Sequence, residues 1–283
     1  MGMSTRTILA ADGARLAYRA FAAAHGTEGD VPVVLLHATL SASAQLAGLG
    51  RLLAARGPVF ALDRRGSGES AVPAPQPLDV GVHVADVAAL LDAEGLGAAI
   101  LVGHSFGAIV ALEAAWRIPE RVIAVVAWEP PYGPLADEET RAGFAAVAAA
   151  TARAHAAGGA PAAAEAFLDG VSGEGSWQAL SARARAFIAA QGDGAFADAG
   201  LAGLDPAGLT RIAAPVTILA GTASAAFYAP IARAVVERVP GARLVTLGGL
   251  RHAAPITDAG PVAAAILEAI AAAGTPAPLE VTQ

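Results

Sequence analysis

Ser105 stands at the centre of Gly103-His104-Ser105-Phe106-Gly107, between a short apolar run at 99–102 and a helical run at 108–116. A G-x-S-x-G turn joining strand to helix forces its serine into a strained backbone conformation, with glycine on both sides because a side chain there would crowd neighbouring chain. The hydroxyl is then held above the sheet edge at a helix N-terminus, where backbone N–H groups stabilise a developing negative charge. The chemistry this predicts is nucleophilic attack by Ser105. The same five residues would also fit an ordinary glycine-rich loop; the strand and helix around them favour the nucleophile.

A serine hydroxyl needs a base at neutral pH, and His252 is the candidate. It follows a strand-like run at 243–247 across Gly248-Gly249-Leu250-Arg251 and precedes a helical pattern, which puts it at the same sheet edge as Ser105. It also comes after the serine and every candidate acid, the order such sites follow. A carboxylate to orient the base would ordinarily follow the strand at 216–220, but residues 221–227 contain none, and the next downstream is Glu237, far along a helix. Glu129 offers the alternative. It ends the strand at 122–128, one strand beyond the elbow strand, and Pro130-Pro131 stops the chain directly afterwards. From there a carboxylate can reach the imidazole, orient it and stabilise the imidazolium formed during attack. The competing role for Glu129 is an ion pair with Arg141 or Arg153. His104, adjacent to the nucleophile, is expected to point away from Ser105, and His37 reads as a scaffold histidine.

An oxyanion needs two donors. One is the backbone N–H of Phe106, and the second comes from the loop His37-Ala38-Thr39-Leu40-Ser41, with Thr39 the first choice and Ala38 the alternative. Trp128, Tyr132 and Phe227 lie near strand ends and are expected to line an apolar substrate pocket, although aromatics at regular spacing more often belong to a core.

Absences narrow the chemistry further. The chain has no cysteine and no lysine, so disulfides, thiolate nucleophiles, thiolate metal sites and side-chain Schiff bases are excluded. Its six histidines are scattered singly without an i, i+4 pair beside a carboxylate, and neither a metal nor another cofactor is expected. A net charge of −7, a pI near 5.3 and the lack of a basic run argue against nucleic acid or an anionic membrane as partner. A small-molecule substrate is the expected partner; nothing in the sequence sets the oligomeric state. Mean hydropathy is +0.53, yet no uninterrupted apolar stretch approaches the roughly 20 residues of a membrane helix, and the N-terminus shows no signal core. A soluble, cytoplasmic protein is expected.

These residues need a scaffold, and the pattern supplies one. A hairpin at 7–10 and 15–21 is followed by strand-length apolar runs at 31–36, 58–62, 99–102 and 122–128, then at 216–220 and 242–247. Helical patterns at 43–55, 80–92, 106–116, 225–238 and 260–272 alternate with them, which predicts a mostly parallel eight-stranded α/β sheet flanked by helices. Between 132 and 209 the alternation gives way to helices alone, at 137–154, 162–168 and 177–190. The expected organisation is a core of residues 1–131 and 210–283 with a helical lid at 132–209 over the C-terminal strand ends, where open α/β sheets bind ligands. Residues 25–30 and 72–77 read as loops and 275–279 as a frayed tail.

The elbow at 103–107, the segment Leu62-Asp63-Arg64-Arg65-Gly66-Ser67-Gly68-Glu69-Ser70, and residues 248–252 before the last helix together resemble the α/β-hydrolase superfamily over essentially the whole chain. The resemblance implies that the 63–70 segment is a structural turn near the site. Two departures stand out: His37-Ala38 replaces the usual His-Gly, and the acid follows the sixth strand. The second feature is similar to haloalkane dehalogenases, but those use an aspartate nucleophile where this chain has Ser105. The implied activity is metal-free serine hydrolysis of a carboxylic ester, lactone or thioester of small to medium hydrophobic character through an acyl-enzyme. The same site could serve C–C bond hydrolysis, perhydrolysis or a biosynthetic cyclisation, and the fold also hosts non-catalytic ligand-binding homologues.

Overall fold

The structure is a computed structural model that describes residues 3–23, 31–70, 76–199 and 203–274. The expected loop at 25–30, most of that at 72–77 and the tail at 275–279 lie outside the described residues. Strands β1 (Met3–Leu9), β2 (Arg15–Phe21), β3 (Val33–Leu36), β4 (Val59–Leu62), β5 (Ala99–His104), β6 (Val122–Trp128), β7 (Val216–Gly221) and β8 (Arg243–Leu247) form one sheet in the order β1-β2-β4-β3-β5-β6-β7-β8. β1 pairs antiparallel with β2 and β2 with β4; every later pairing is parallel.

The apolar runs explain this sheet. Every residue of β3, β4 and β5 is buried, as expected for parallel strands covered on both faces. Alternate residues then serve opposite layers. Val125 and Ala127 of β6 pack with Ile109 of α3 (Phe106–Arg117), Leu90 of α2 (Val80–Ala93) and Val235 of α7 (Tyr228–Arg238). Val126 and Trp128 face Leu53 of α1 (Ala47–Leu53) and Ile266 of α9 (Ala259–Ala272), with the short α8 (Ala254–Thr257) between β8 and α9. Each buried valine, leucine or isoleucine among these contributes roughly 1.5–3 kcal/mol.

The segment between β6 and β7 is helical: α4 (Glu138–Ser172), α5 (Ala182–Ala189) and α6 (Gly192–Asp198). The break expected near 157–159 is present as a kink inside α4, where Gly159 has φ 66° and Pro161 follows. The helix expected at 177–190 begins only at Ala182, where Ser181 caps it by accepting from Ala184 N–H at 3.2 Å.

The turn after β4 braces the core. Asp63 accepts from Ser43 N–H at 2.7 Å and Glu69 N–H at 3.1 Å, and buried Arg65 pairs with both Asp86 and Asp12. No described helix is long and apolar enough to cross a membrane.

Candidate active site

Ser105 lies between the last residue of β5 and the first of α3 with φ 55° and ψ −119°, a conformation that non-glycine residues rarely adopt. Its two glycines are required by packing. A Cβ on Gly103 would lie 2.3 Å from Gly107 O, and one on Gly107 would lie 2.2 Å from Leu36 O. The turn is closed by Ser105 N–H donating to Trp128 O at 2.9 Å, and strain of about 1–3 kcal/mol is thus held by the surrounding sheet.

Glu129 follows β6 with φ 45° and is completely buried. Its Oε1 accepts from Gly221 N–H at 2.8 Å, and its Oε2 lies 2.7 Å from His252 Nδ1. Gly221 ends β7, the strand after which the acid was missing, and a Cβ there would lie 2.2 Å from Leu250 O. The β7 terminus therefore meets the histidine loop backbone to backbone, and the neighbouring strand supplies the carboxylate. The Arg141 and Arg153 alternatives are not realised: Arg141 pairs instead with Glu138.

The His252 ring packs against two others. Tyr228 stacks on it at 4.3 Å between centroids with 13° between planes, and His104 lies tilted at 4.9 Å. Burial and the Glu129 charge push the Tyr228 phenol pKa upward, so this stacking ring stays neutral. The main chain is tied down as Trp128 Nε1–H donates to His252 O at 3.0 Å. No hydrogen bond joins Ser105 Oγ to His252 Nε2 among the described residues; such contacts commonly tighten only when substrate is bound.

Ser105 and His252 face one cavity of about 280 Å³, just below the roughly 300–1,000 Å³ usual for small-molecule sites. Phe106, Ala38 and Thr39 line it, together with Phe227 and with Phe144, Phe167 and Ile188 from the helical insertion. Two expectations about its walls need correction. Trp128 is buried beneath the site, where its indole N–H holds the histidine loop, and Tyr132 is fully buried with its hydroxyl donating to Glu113 at 2.5 Å. Neither lines the cavity: the Trp128 indole N–H is spent on the backbone of the histidine loop and the Tyr132 hydroxyl on buried Glu113. His104 is buried against His252 at the edge of the cavity. Burial, with the His252 charge adding to it, holds its pKa well below the ordinary histidine value. His37, by contrast, is the expected scaffold residue. Its Nε2 accepts from Arg64 N–H at 2.9 Å, which leaves the proton on Nδ1 to donate to Ala38 O at 2.8 Å.

The sequence reading missed Asp198. It reaches the cavity wall from α6, and its carboxylate takes the Thr39 hydroxyl at 2.7 Å and buried Arg64 at 2.6 and 2.8 Å. No arginine lines the cavity among the described residues.

A strained serine elbow on a mostly parallel eight-stranded sheet, with a histidine loop following the last strand, defines an α/β-hydrolase architecture. Residues 33–265 match the model of the alpha/beta hydrolase family, and the chain belongs to that family. Among curated relatives, it is 42% identical over 73 residues to Lipase LipV of Mycobacterium tuberculosis, covering 26% of this chain and 27% of that protein. It is 40% identical over 116 residues to a putative carbamate hydrolase, RutD, of Variovorax paradoxus, covering 38% and 42%. The chain thus spans less than half the length of either. A solved hydrolase from Pseudomonas aeruginosa superposes with a TM-score of 0.77 at 25% identity, over 94% of this chain and 98% of that one.

Proposed function

We propose that this protein is a serine hydrolase that cleaves an uncharged carboxylic ester, lactone or thioester through an acyl-enzyme. Ser105 Oγ attacks the carbonyl carbon while His252 Nε2 takes its proton, and Glu129 holds the proton on Nδ1 and balances the imidazolium. The N–H groups of Phe106 and Thr39, with Ala38 the alternative to Thr39, receive the oxyanion, each such donor being worth roughly 3–4 kcal/mol. The imidazolium then protonates the leaving alcohol or thiol. Water, deprotonated by His252, releases the acid and regenerates Ser105.

The observation that carries this reading is the 2.7 Å contact between His252 Nδ1 and a buried Glu129 whose other oxygen is fixed by Gly221. The cavity supports the substrate class: its walls are mostly aliphatic and aromatic, and the one carboxylate lining it among the described residues, Asp198, is already neutralised by Arg64. The helical insertion supplies one side of the cavity and acts as its lid. With p-nitrophenyl butyrate, Ser105→Ala should reduce turnover to background while the wild type turns over; equal turnover by both would refute the proposal. Esters whose acyl group carries a carboxylate should be poor substrates.

A further inference from the structure

We infer that Asp198, carried by the helical insertion, is a positioning residue for the oxyanion hole. It acts on one donor through Thr39 and on the other through Arg64. The inference rests on the serine-hydrolase reading above.

The observations converge on the loop at 37–40. Leu40 has φ 56°, a costly conformation for a leucine that persists only where the surroundings over-determine it. The core holds this loop from one side: Arg64 Nε–H donates to His37 O at 3.0 Å, and Arg64 N–H donates to His37 Nε2. The insertion holds it from the other. Leu40 packs with Ala164, Trp177 and Ala195, and the Thr39 hydroxyl donates to Asp198 Oδ2. Arg64 also places its guanidinium 4.6 Å from the centre of the Phe106 ring, beside the residue offering the first donor. One buried carboxylate therefore fixes the arginine that touches both arms of the hole and the side chain of the residue bearing the second donor.

Asp198 rests on a fixed platform. Gly194 N–H donates to Gly66 O at 3.0 Å, and a Cβ on Gly66 would lie 2.7 Å from Gly194 N. Gln191 Oε1 accepts from Gly68 N–H at 2.7 Å. Helix α6 is thereby docked backbone to backbone on the turn that bears Arg64, and the Arg64–Asp198 pair is bidentate and almost wholly buried. Such a pair contributes little to net stability compared with apolar residues of the same size. Its geometric precision suits positioning.

The test compares Asp198→Asn, Thr39→Val and Thr39→Ser with the wild type, using p-nitrophenyl butyrate and a trifluoromethyl ketone that adds to Ser105 as a tetrahedral oxyanion mimic. A lost donor costs roughly 10²–10³ in turnover, so a displaced one should cost about 10- to 100-fold in kcat for Asp198→Asn, with less for Thr39→Val. KM should stay near the wild-type value, ketone affinity should fall by the same factor as kcat/KM, and Thr39→Ser should restore both. Asp198→Asn leaves Arg64 buried without its partner and can fail to fold, in which case Thr39→Val, which keeps the ion pair, decides. Folded variants with kcat and ketone affinity unchanged would overturn this inference alone. A wild type whose Ser105 is inert to a fluorophosphonate and dispensable for turnover overturns both readings.

Discussion

Glu129 meets two geometric demands at once, and both follow from one strained residue. Its positive φ turns the chain at the end of β6, so that one carboxylate oxygen takes Gly221 N–H and the other faces His252 Nδ1. Glutamine at this position would keep the size and could still accept from Gly221. Its amide N–H would then face Nδ1 and force the imidazole proton onto Nε2, the atom that must receive the serine proton. Glu129→Gln should therefore lower kcat by about 10⁴, as in other triads that lose the acid, while circular dichroism and Tm stay close to wild type. A loss below tenfold would remove Glu129 from the proposed mechanism.

At the scale of elements, the site depends on how closely α3 approaches β3. The would-be Cβ of Gly107 meets backbone, not a flexible side chain, so it cannot be accommodated by a rotamer change. Gly107→Ala should cost at least the roughly 1–3 kcal/mol of an overpacked core, and a chain of this size loses about 2–4 °C in Tm per kcal/mol. Gly260, at the start of α9 with nothing near its missing Cβ, is the control, and Gly260→Ala should hold or raise Tm. An equal Tm for both variants would contradict the close packing. The contrast also shows what the sequence could reveal. The elbow, the sheet and the histidine loop were legible because each is local: glycines at fixed offsets, apolar runs at strand length, a break before a helix. Glu129 was legible because the loop after β7 has no acid. Asp198 was not, since its contact with Thr39 spans 159 residues and leaves no periodic trace. Trp128 and Tyr132 were misplaced because composition marks a ring as apolar but does not say where its N–H or O–H finds a partner.

At the scale of the whole molecule, the three buried histidines among the described residues set a limit on acid stability. Burial is the leading cause in each: it lowers the pKa of His37 and His104 well below 6.5 and that of His83 to about 4, with Arg64 adding to the effect at His37 and His83. Their folded-state pKa values lie below the unfolded one, so the unfolded chain binds more protons beneath pH 6.5 and stability is lost as pH falls from there toward 4. Each histidine contributes up to about 1.4 kcal/mol per pH unit across that window. Asp86 and Glu113, raised by burial, act in the opposite sense, adding stability as pH falls through their raised folded-state range, but they are two against three. Tm measured from pH 7 to 5 should therefore fall steadily, and a flat profile would contradict neutral burial of these rings. Activation of Ser105 by His252 and Glu129 together is read out by the rate of fluorophosphonate labelling in the wild type and in Glu129→Gln, followed by intact mass and peptide mapping. The predicted result is one adduct per chain, located on Ser105 and formed far more slowly in the variant; an adduct elsewhere, none at all, or equal rates would contradict the claim.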